Sequence, residues 1–335
     1  MSLQQDFARW LPLIADEMKR IVGSAGDPAY IPFYGMLHYH LGWADADFAP
    51  AEVPAGKRIR PMLCLLACEA AGGDPQAALP AAAAVELLHN FSLIHDDVED
   101  SSELRRGRLT VWKHWGVAQA INAGDALYTL AHSAFHRLRD SGVPDDRQVE
   151  AHLRFSQTCL NLTRGQFLDL SFESRSDVTV EDYLEMIGGK TATLVSGAAA
   201  IGAIVAGSDK ADRYAEFGRG LGLAFQIQDD LLGIWGDPQL TGKSAASDIA
   251  SRKKSLPVLY GLENSEELRE LYAAPEIDVP RVVALLEQVG AKEYAAEMAE
   301  EYTRQAMAAL EAAEPRGEAG EALRELAMSL LRRQA

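Results

Sequence analysis

The sequence is short of cations, cysteines, aromatic residues and long apolar runs, and each shortage closes off a class of protein. Lys and Arg number 32 against 49 Asp and Glu, a formal net charge of −17. That balance excludes a general nucleic-acid binder, which needs a cationic footprint to displace counterions from phosphate, and argues against broad electrostatic docking on an anionic membrane. The three cysteines, Cys64, Cys68 and Cys159, are too few and too odd in number for a disulfide framework. Cys64 and Cys68 lie four apart within MLCLLACEAA and read as small buried apolar residues. The first twenty residues lack the apolar core of a signal peptide, and no stretch approaches the roughly 18 apolar residues of a membrane span. A soluble, cytoplasmic protein is expected.

What is present is ample apolar material, 48% of 335 residues, arranged with helical period. Phe7, Trp10, Leu11, Ile14, Met18, Ile21 and Val22 form one stripe at three-and-four spacing. Further helices are predicted over 29–42, 57–71, 78–102, 116–140, 146–174, 179–206, 210–236, 281–312 and 317–333, separated by breakers such as GSAGDP, AGGDP and SGVPDD. No strand alternation competes, and neither a linker nor a repeat divides the chain. The expectation is an all-α protein, a single large helical bundle over residues 1–335. The stretches 80–97 and 191–207 are apolar over most of their circumference, so they are either central in the bundle or line an apolar cavity.

Two acidic clusters end such helices. Asp96-Asp97-Val98-Glu99-Asp100 places Asp96 and Asp100 one turn apart, a repulsive spacing unless a cation intervenes. Oxygen-only ligands suit a hard cation such as Mg²⁺, commonly completed by substrate phosphates, and Arg105-Arg106 just downstream suit phosphate oxygens. A metal-bridged diphosphate is the chemistry suggested, with a solvated acidic face as the plainer alternative. Asp229-Asp230 ends a second helix, and the two ends could face each other across a cavity mouth. Cations fall in short sets: Lys57-Arg58-Ile59-Arg60, Lys190, Lys243 and Lys253-Lys254. Lys57 and Arg60 would share a face if a helix begins near Gly56. No GxxxxGK[ST] precedes Lys243, so a nucleotide P-loop is rejected.

The ordered motifs GKRIRP, HNFSLIHDDVED with RRG, GQFLDL, GGKTATL, FQIQDDLLGIWGDPQLTGK and DIASRKKSLP, spread over about residues 56–260, closely resemble the trans-isoprenyl diphosphate synthases, or polyprenyl synthetases. The resemblance implies the isoprenoid-synthase bundle around a central apolar cavity, homodimerisation, and three Mg²⁺ ions joining an allylic diphosphate to Asp96, Asp100 and Asp229, with Asp97 and Asp230 in support. It implies that Lys57, Arg60, His89 and Arg106 hold isopentenyl diphosphate, and that Arg105, Lys190, Lys243 and Lys253 meet the allylic diphosphate. Thr191 and Gln226, with Lys190, match positions that stabilise the developing cation. Phe91 and Ser92, just before the first acidic cluster, match positions that set product length, and the pair implies a C20 or C15 product.

Two departures from the family pattern stand out. Gly233 replaces the usual fifth aspartate of the second motif, and Leu109 and Trp112 stand where Pro and His are common. Three other readings compete. A terpene cyclase would lack the second diphosphate site that Lys57, Arg60 and Arg106 supply. A catalytically silent partner subunit is kept open by Gly233. A ferritin-like di-iron bundle needs two Glu-x-x-His pairs, and only Glu86-Leu87-Leu88-His89 has that spacing.

Overall fold

The computed structural model describes residues 3–53, 56–237 and 246–331. The all-α expectation holds. Helices run α1 Leu3–Val22, α2 Ile31–His40, α3 Ile59–Ala70, α4 Leu79–Glu99, α5 Val111–Trp115, α6 Val117–Ala134, α7 Asp145–Ser174, α8 Val180–Ile187, α9 Thr193–Ala206, α10 Ala211–Trp235, α11 Ser247–Ala250, α12 Leu256–Asn264, α13 Glu266–Ala273, α14 Val279–Gln288, α15 Ala291–Ala312 and α16 Gly317–Leu331. Among the described residues the strands are two antiparallel pairs of residues, β1 Leu104–Arg105 and β2 Arg108–Leu109.

Three expected helices differ in ways that matter. The stretch 281–312 is broken by Gly290, which takes a left-handed φ of 76° and separates α14 from α15. The stretch 57–71 begins only at Ile59, because Arg58 is itself left-handed, so Lys57 precedes the helix and does not share a helical face with Arg60. The stretch 179–206 starts at a capping box, Thr179 and Asp182 each bonding the other's backbone N–H. It then widens to a π-helical segment at Gly188–Ala192 before continuing as α9. Val180–Ala206 is long and apolar enough to cross a membrane, but 67% of its most apolar window is buried within the protein.

The chain forms two compact units. The first comprises Met1–Ser156, Ala198–Ala211 and Arg316–Ala322. Its core is α4, with Ala81 to Val85, Leu87 and Leu88 all fully buried and packed chiefly on α6. Small residues let its helices approach closely: a β-carbon on Gly202 would lie 2.1 Å from the carbonyl oxygen of Cys64. Cys64 and Cys68 are buried and free, and burial pushes the Cys68 thiol up to about 12, in keeping with an apolar role.

The second unit comprises Gln157–Gly197, Asp212–Pro315 and Leu323–Ala335. One cluster gathers Phe172, Tyr183, Ile187, Leu223, Ile227 and Leu256, and another gathers Ile234, Ile249, Val258, Val282, Leu285 and Leu286. Each fully buried aliphatic side chain contributes about 1.5–3 kcal/mol. These clusters hold α10 between α8 and α12, which fixes the phase of its acidic end.

Candidate active site

In the first unit the functional side chains come from the start of α3, the C-terminal half of α4 and the β1–β2 hairpin. Arg106 and Gly107 are the two central residues of that hairpin, both with positive φ (52° and 75°), as a type I′ turn requires. The turn puts the Arg106 guanidinium against Gly56, where a β-carbon would lie 2.9 Å from its Nη2. Trp112 donates from Nε1 to the Ser102 carbonyl (2.8 Å), and the Leu109 carbonyl accepts from the Tyr39 hydroxyl (2.8 Å). Trp112 therefore anchors the hairpin through its side chain, whereas the bond at Leu109 uses the backbone and does not depend on which residue stands there.

The recessed Glu86, 3% exposed, is faced by Arg58, Arg60 and Arg106; burial raises its pKa and the three guanidiniums oppose that rise. Arg60 Nη1 lies 3.3 Å from His89 Nε2, and Arg60 Nε is buried with no hydrogen-bond partner. A buried donor without a partner, inside a cluster of guanidiniums, suits an anionic ligand. Lys57 is exposed at the edge of this set.

Within the first acidic cluster Arg105 lies between Asp96 and Asp97, not between Asp96 and Asp100. Its Nε donates to Asp97 at 2.7 Å and its Nη2 lies 3.5 Å from Asp96. Asp97 is 2% exposed, whereas Asp96 is partly open and Asp100, the residue that ends α4, is exposed. Phe91 packs against His95 (centroids 4.7 Å) and Tyr128 (5.1 Å), while the Ser92 hydroxyl donates to the His89 carbonyl (2.8 Å). His95 itself packs on Gly124 of α6, where a β-carbon would meet its ring at 2.2 Å.

Burial, followed by the charges of Arg60, Arg106 and Arg105, holds His89 well below the usual histidine range. Burial with Arg106 and Arg105 lowers His40 to about 3. Both imidazoles stay neutral in the fold, so the unfolded chain binds more protons as pH falls. Their contribution to stability is complete above about pH 6.5 and declines below it, at a rate approaching about 1.4 kcal/mol per pH unit for each. Glu86 and Asp97, both raised by burial, act in the opposite sense nearer the carboxylate range. Urea midpoints measured between pH 7.5 and 5.5 should fall on the acid side. Replacing His40 by Asn should flatten that slope, and an unchanged slope would remove His40 from the account.

In the second unit the site is built on close backbone approach. A β-carbon on Gly165 of α7 would lie 2.0 Å from Lys190 N, and one on Gly189 would lie 2.8 Å from Gly165 Cα. Two glycines thus let α7 touch the π-helical segment that carries Lys190 and Thr191. Segments of this kind recur at functional sites because they turn side chains out of α-helical phase. Lys190 Nζ lies 2.5 Å from Asp169, and the Thr191 hydroxyl donates to Gln226 Oε1 at 2.9 Å. The structure therefore brings together Thr191 and Gln226, 35 residues apart in sequence.

The second aspartate pair divides as the first does. Asp229 is exposed, and Asp230 is fully buried. Lys253 Nζ bridges Asp230 (3.2 Å) and Asp248 (3.3 Å). Burial works against the charged amine of Lys253, but the two carboxylates outweigh it and raise its pKa. Gly233 also finds its reason here, since a β-carbon would lie 2.3 Å from Asp248 Oδ2. The carboxylate of Asp248 fills the space of the missing side chain. Lys243 lies outside the described residues.

The model of the family called Polyprenyl synthetase matches residues 48–289. The chain belongs to the polyprenyl synthetase family. This polyprenyl synthetase is 46% identical over 289 residues to a geranylgeranyl diphosphate synthase of Mycobacterium tuberculosis, covering 83% of this chain and 81% of the relative. It is 48% identical over 246 residues to a (2E,6E)-farnesyl diphosphate synthase of Mycobacterium bovis, covering 72% and 67%. Among solved structures, a polyprenyl synthetase from Streptomyces coelicolor A3(2) matches with a TM-score of 0.86 at 38% identity, covering 98% of each chain.

Sequence reasoning assigned no role to Asp169, Tyr183 or Asp248, and weighed Glu86 only as half of a Glu-x-x-His pair. Glu86 and Tyr183 sit in apolar helical stretches where a polar group must find partners, and that was the available signal. Asp248 opens the DIASRKKSLP motif, but nothing in the sequence paired it with Gly233.

Proposed function

We propose that this polyprenyl synthetase condenses isopentenyl diphosphate with an allylic diphosphate, head to tail, to give a trans-prenyl diphosphate of C20 or C15. The observation that carries this reading is the division of labour within the first unit. Arg60 and Arg106, with the neutral His89 beside Arg60, form a cationic set around the buried Glu86 for one diphosphate, and Asp96 and Asp100 keep surface open for a metal-borne second one. A terpene cyclase would need only the latter.

The donor set fits a hard divalent cation. Among the described residues no three His, Cys, Asp or Glu side chains gather closely enough to hold a metal unaided. The open carboxylates of Asp96 and Asp100 suit Mg²⁺, which takes one or two carboxylates and completes its octahedron with water and substrate phosphates. Asp96, Asp100 and Asp229 are the proposed ligands for three Mg²⁺, and the buried Asp97 and Asp230 hold the frame. Bound there, the ions would supply charge neutralisation for a leaving diphosphate.

The protein's own groups do the rest. Arg105, Lys190 and Lys253 meet the allylic diphosphate as its C–O bond breaks and the electron pair goes to oxygen. The Thr191 and Gln226 oxygens face the allylic cation. The double bond of isopentenyl diphosphate attacks it, and the proton lost from the adduct passes to the departing diphosphate. Residues 1–335 are proposed to act as one catalytic domain, in the cytoplasm. A homodimer is supported by α7, where Val149, Leu153, Leu160 and Phe167 are 60%, 65%, 46% and 69% exposed and fall within about 40° of one another round the helix.

Purified protein given labelled isopentenyl diphosphate, Mg²⁺ and dimethylallyl, geranyl or farnesyl diphosphate should release pyrophosphate and form longer prenyl diphosphates. Chelation with EDTA should abolish turnover and excess Mg²⁺ restore it. No turnover with any primer, and activity only on mixing with a second chain, would favour the silent-subunit reading. In the same assay Phe91→Ala should shift products upward by one or two isoprene units. Tyr128, which packs behind Phe91, should limit that shift, so adding Tyr128→Ala should extend it; an unchanged distribution would remove Phe91 as the floor.

A further inference from the structure

We propose that Tyr183 is a positioning residue for the condensation, fixing through Asp230 the orientation of the Gln226 amide so that its oxygen, and not its NH₂, lies toward Thr191 and the allylic cation. This rests on the function proposed above. Tyr183 is buried on α8, 1% exposed, and its hydroxyl donates to Asp230 Oδ2. The backbone N–H of Leu256 donates to the same oxygen at 3.2 Å. With Oδ2 pinned by two donors, the rotation of the carboxylate is set and Oδ1 is turned toward Gln226 Nε2 (3.3 Å) and Lys253 Nζ (3.2 Å).

A carboxylate offers only acceptors, so Gln226 must present its NH₂ group to Asp230. Its carbonyl oxygen is thereby left to accept from the Thr191 hydroxyl at 2.9 Å. The reverse rotamer would place the amide oxygen against a carboxylate and the amide hydrogens toward a forming cation, which is wrong at both ends. The network thus holds oxygen dipoles in place before charge develops, the arrangement that makes electrostatic stabilisation effective. Asp230 cannot fill this role and also be an accessible metal ligand, since none of its surface is exposed.

The test is Tyr183→Phe, which keeps the ring and removes the donor. Loss of a hydrogen bond to a charged group predicts a fall in kcat of about 10- to 100-fold, with both KM values within about twofold because ground-state contacts are untouched. Binding of an ammonium analogue of the allylic cation, measured by calorimetry with pyrophosphate and Mg²⁺, should weaken by a similar factor. An unreactive thio-diphosphate substrate analogue should bind as before. In a Gln226→Ala background the same change should have no further effect on kcat. If Tyr183→Phe does not fold, Tyr183→Met, which also lacks the donor, should show the same selective loss for the ammonium analogue. Unchanged kcat and analogue binding, an equal loss for both analogues, or effects additive with Gln226→Ala would each overturn the proposal. An inactive wild-type enzyme would instead overturn the functional reading on which it rests.

Discussion

Gly165→Ala is expected to lower kcat by about two orders of magnitude. The new β-carbon would lie 2.0 Å from Lys190 N and 2.4 Å from the Gly189 carbonyl carbon. Both are backbone atoms, so no side-chain rotation relieves the contact. Either α7 moves away or the π-helical segment does, by more than an ångström, and the segment carries Lys190 and Thr191. A misplacement of that size costs about 100-fold in rate. The overpacking itself should cost about 1–3 kcal/mol. Steady-state kinetics and thermal denaturation check the two effects separately. Gly26→Ala is the control, since nothing lies within 4 Å of that site, and its effect should stay within about 0.5 kcal/mol. Turnover by Gly165→Ala within threefold of wild type would show that the close approach is not needed.

Gly233→Asp, which restores the aspartate common in the family, should damage this member. Its β-carbon would sit 2.3 Å from Asp248 Oδ2 and 2.5 Å from Asp248 Cγ. The added carboxylate would also lie among Asp229, Asp230 and Asp248, with Lys253 the cation that bridges the last two. Overpacking costs about 1–3 kcal/mol, and like charges in a buried setting add to it. A drop in melting temperature of several degrees and at least a tenfold loss of turnover are expected. Asp248→Gly in the same chain should recover much of both by vacating the space. A single variant as stable and active as wild type would refute the exchange of places between residues 233 and 248.

Much of the fold was legible because helical periodicity is a local signal. Nearly every helix that carries a site residue was placed within a few residues, and six ordered motifs pointed to the family. The asymmetry within each aspartate pair was less plain, since adjacent helical residues differ by about 100° and only packing says which faces inward. For Asp230 a clue existed: it falls in phase with Leu223, Ile227 and Ile234, all buried. The adjacent lysines illustrate what sequence could not tell. Lys253 bridges two carboxylates, while Lys254 donates to the backbone carbonyls of Phe172 and Arg175. Two identical side chains are assigned by the direction of the chain as it enters α12, which no local pattern records.

The wide turn at Gly188–Ala192 bears on how this helix could be improved for stability. Such a turn holds one residue more than α-helical phase would allow. Deleting a single glycine there would let Val180–Ala206 run as one regular rod, with better hydrogen-bond geometry and fewer glycines to order. In that rod everything before the deletion would be rotated by about 100° relative to the rest of the helix. The capping box at Thr179 and the cation at Lys190 could then no longer both face their present neighbours. A screen that rewarded heat resistance alone would favour the straightened helix, so the irregularity persists as a cost in durability carried for the placement of two side chains.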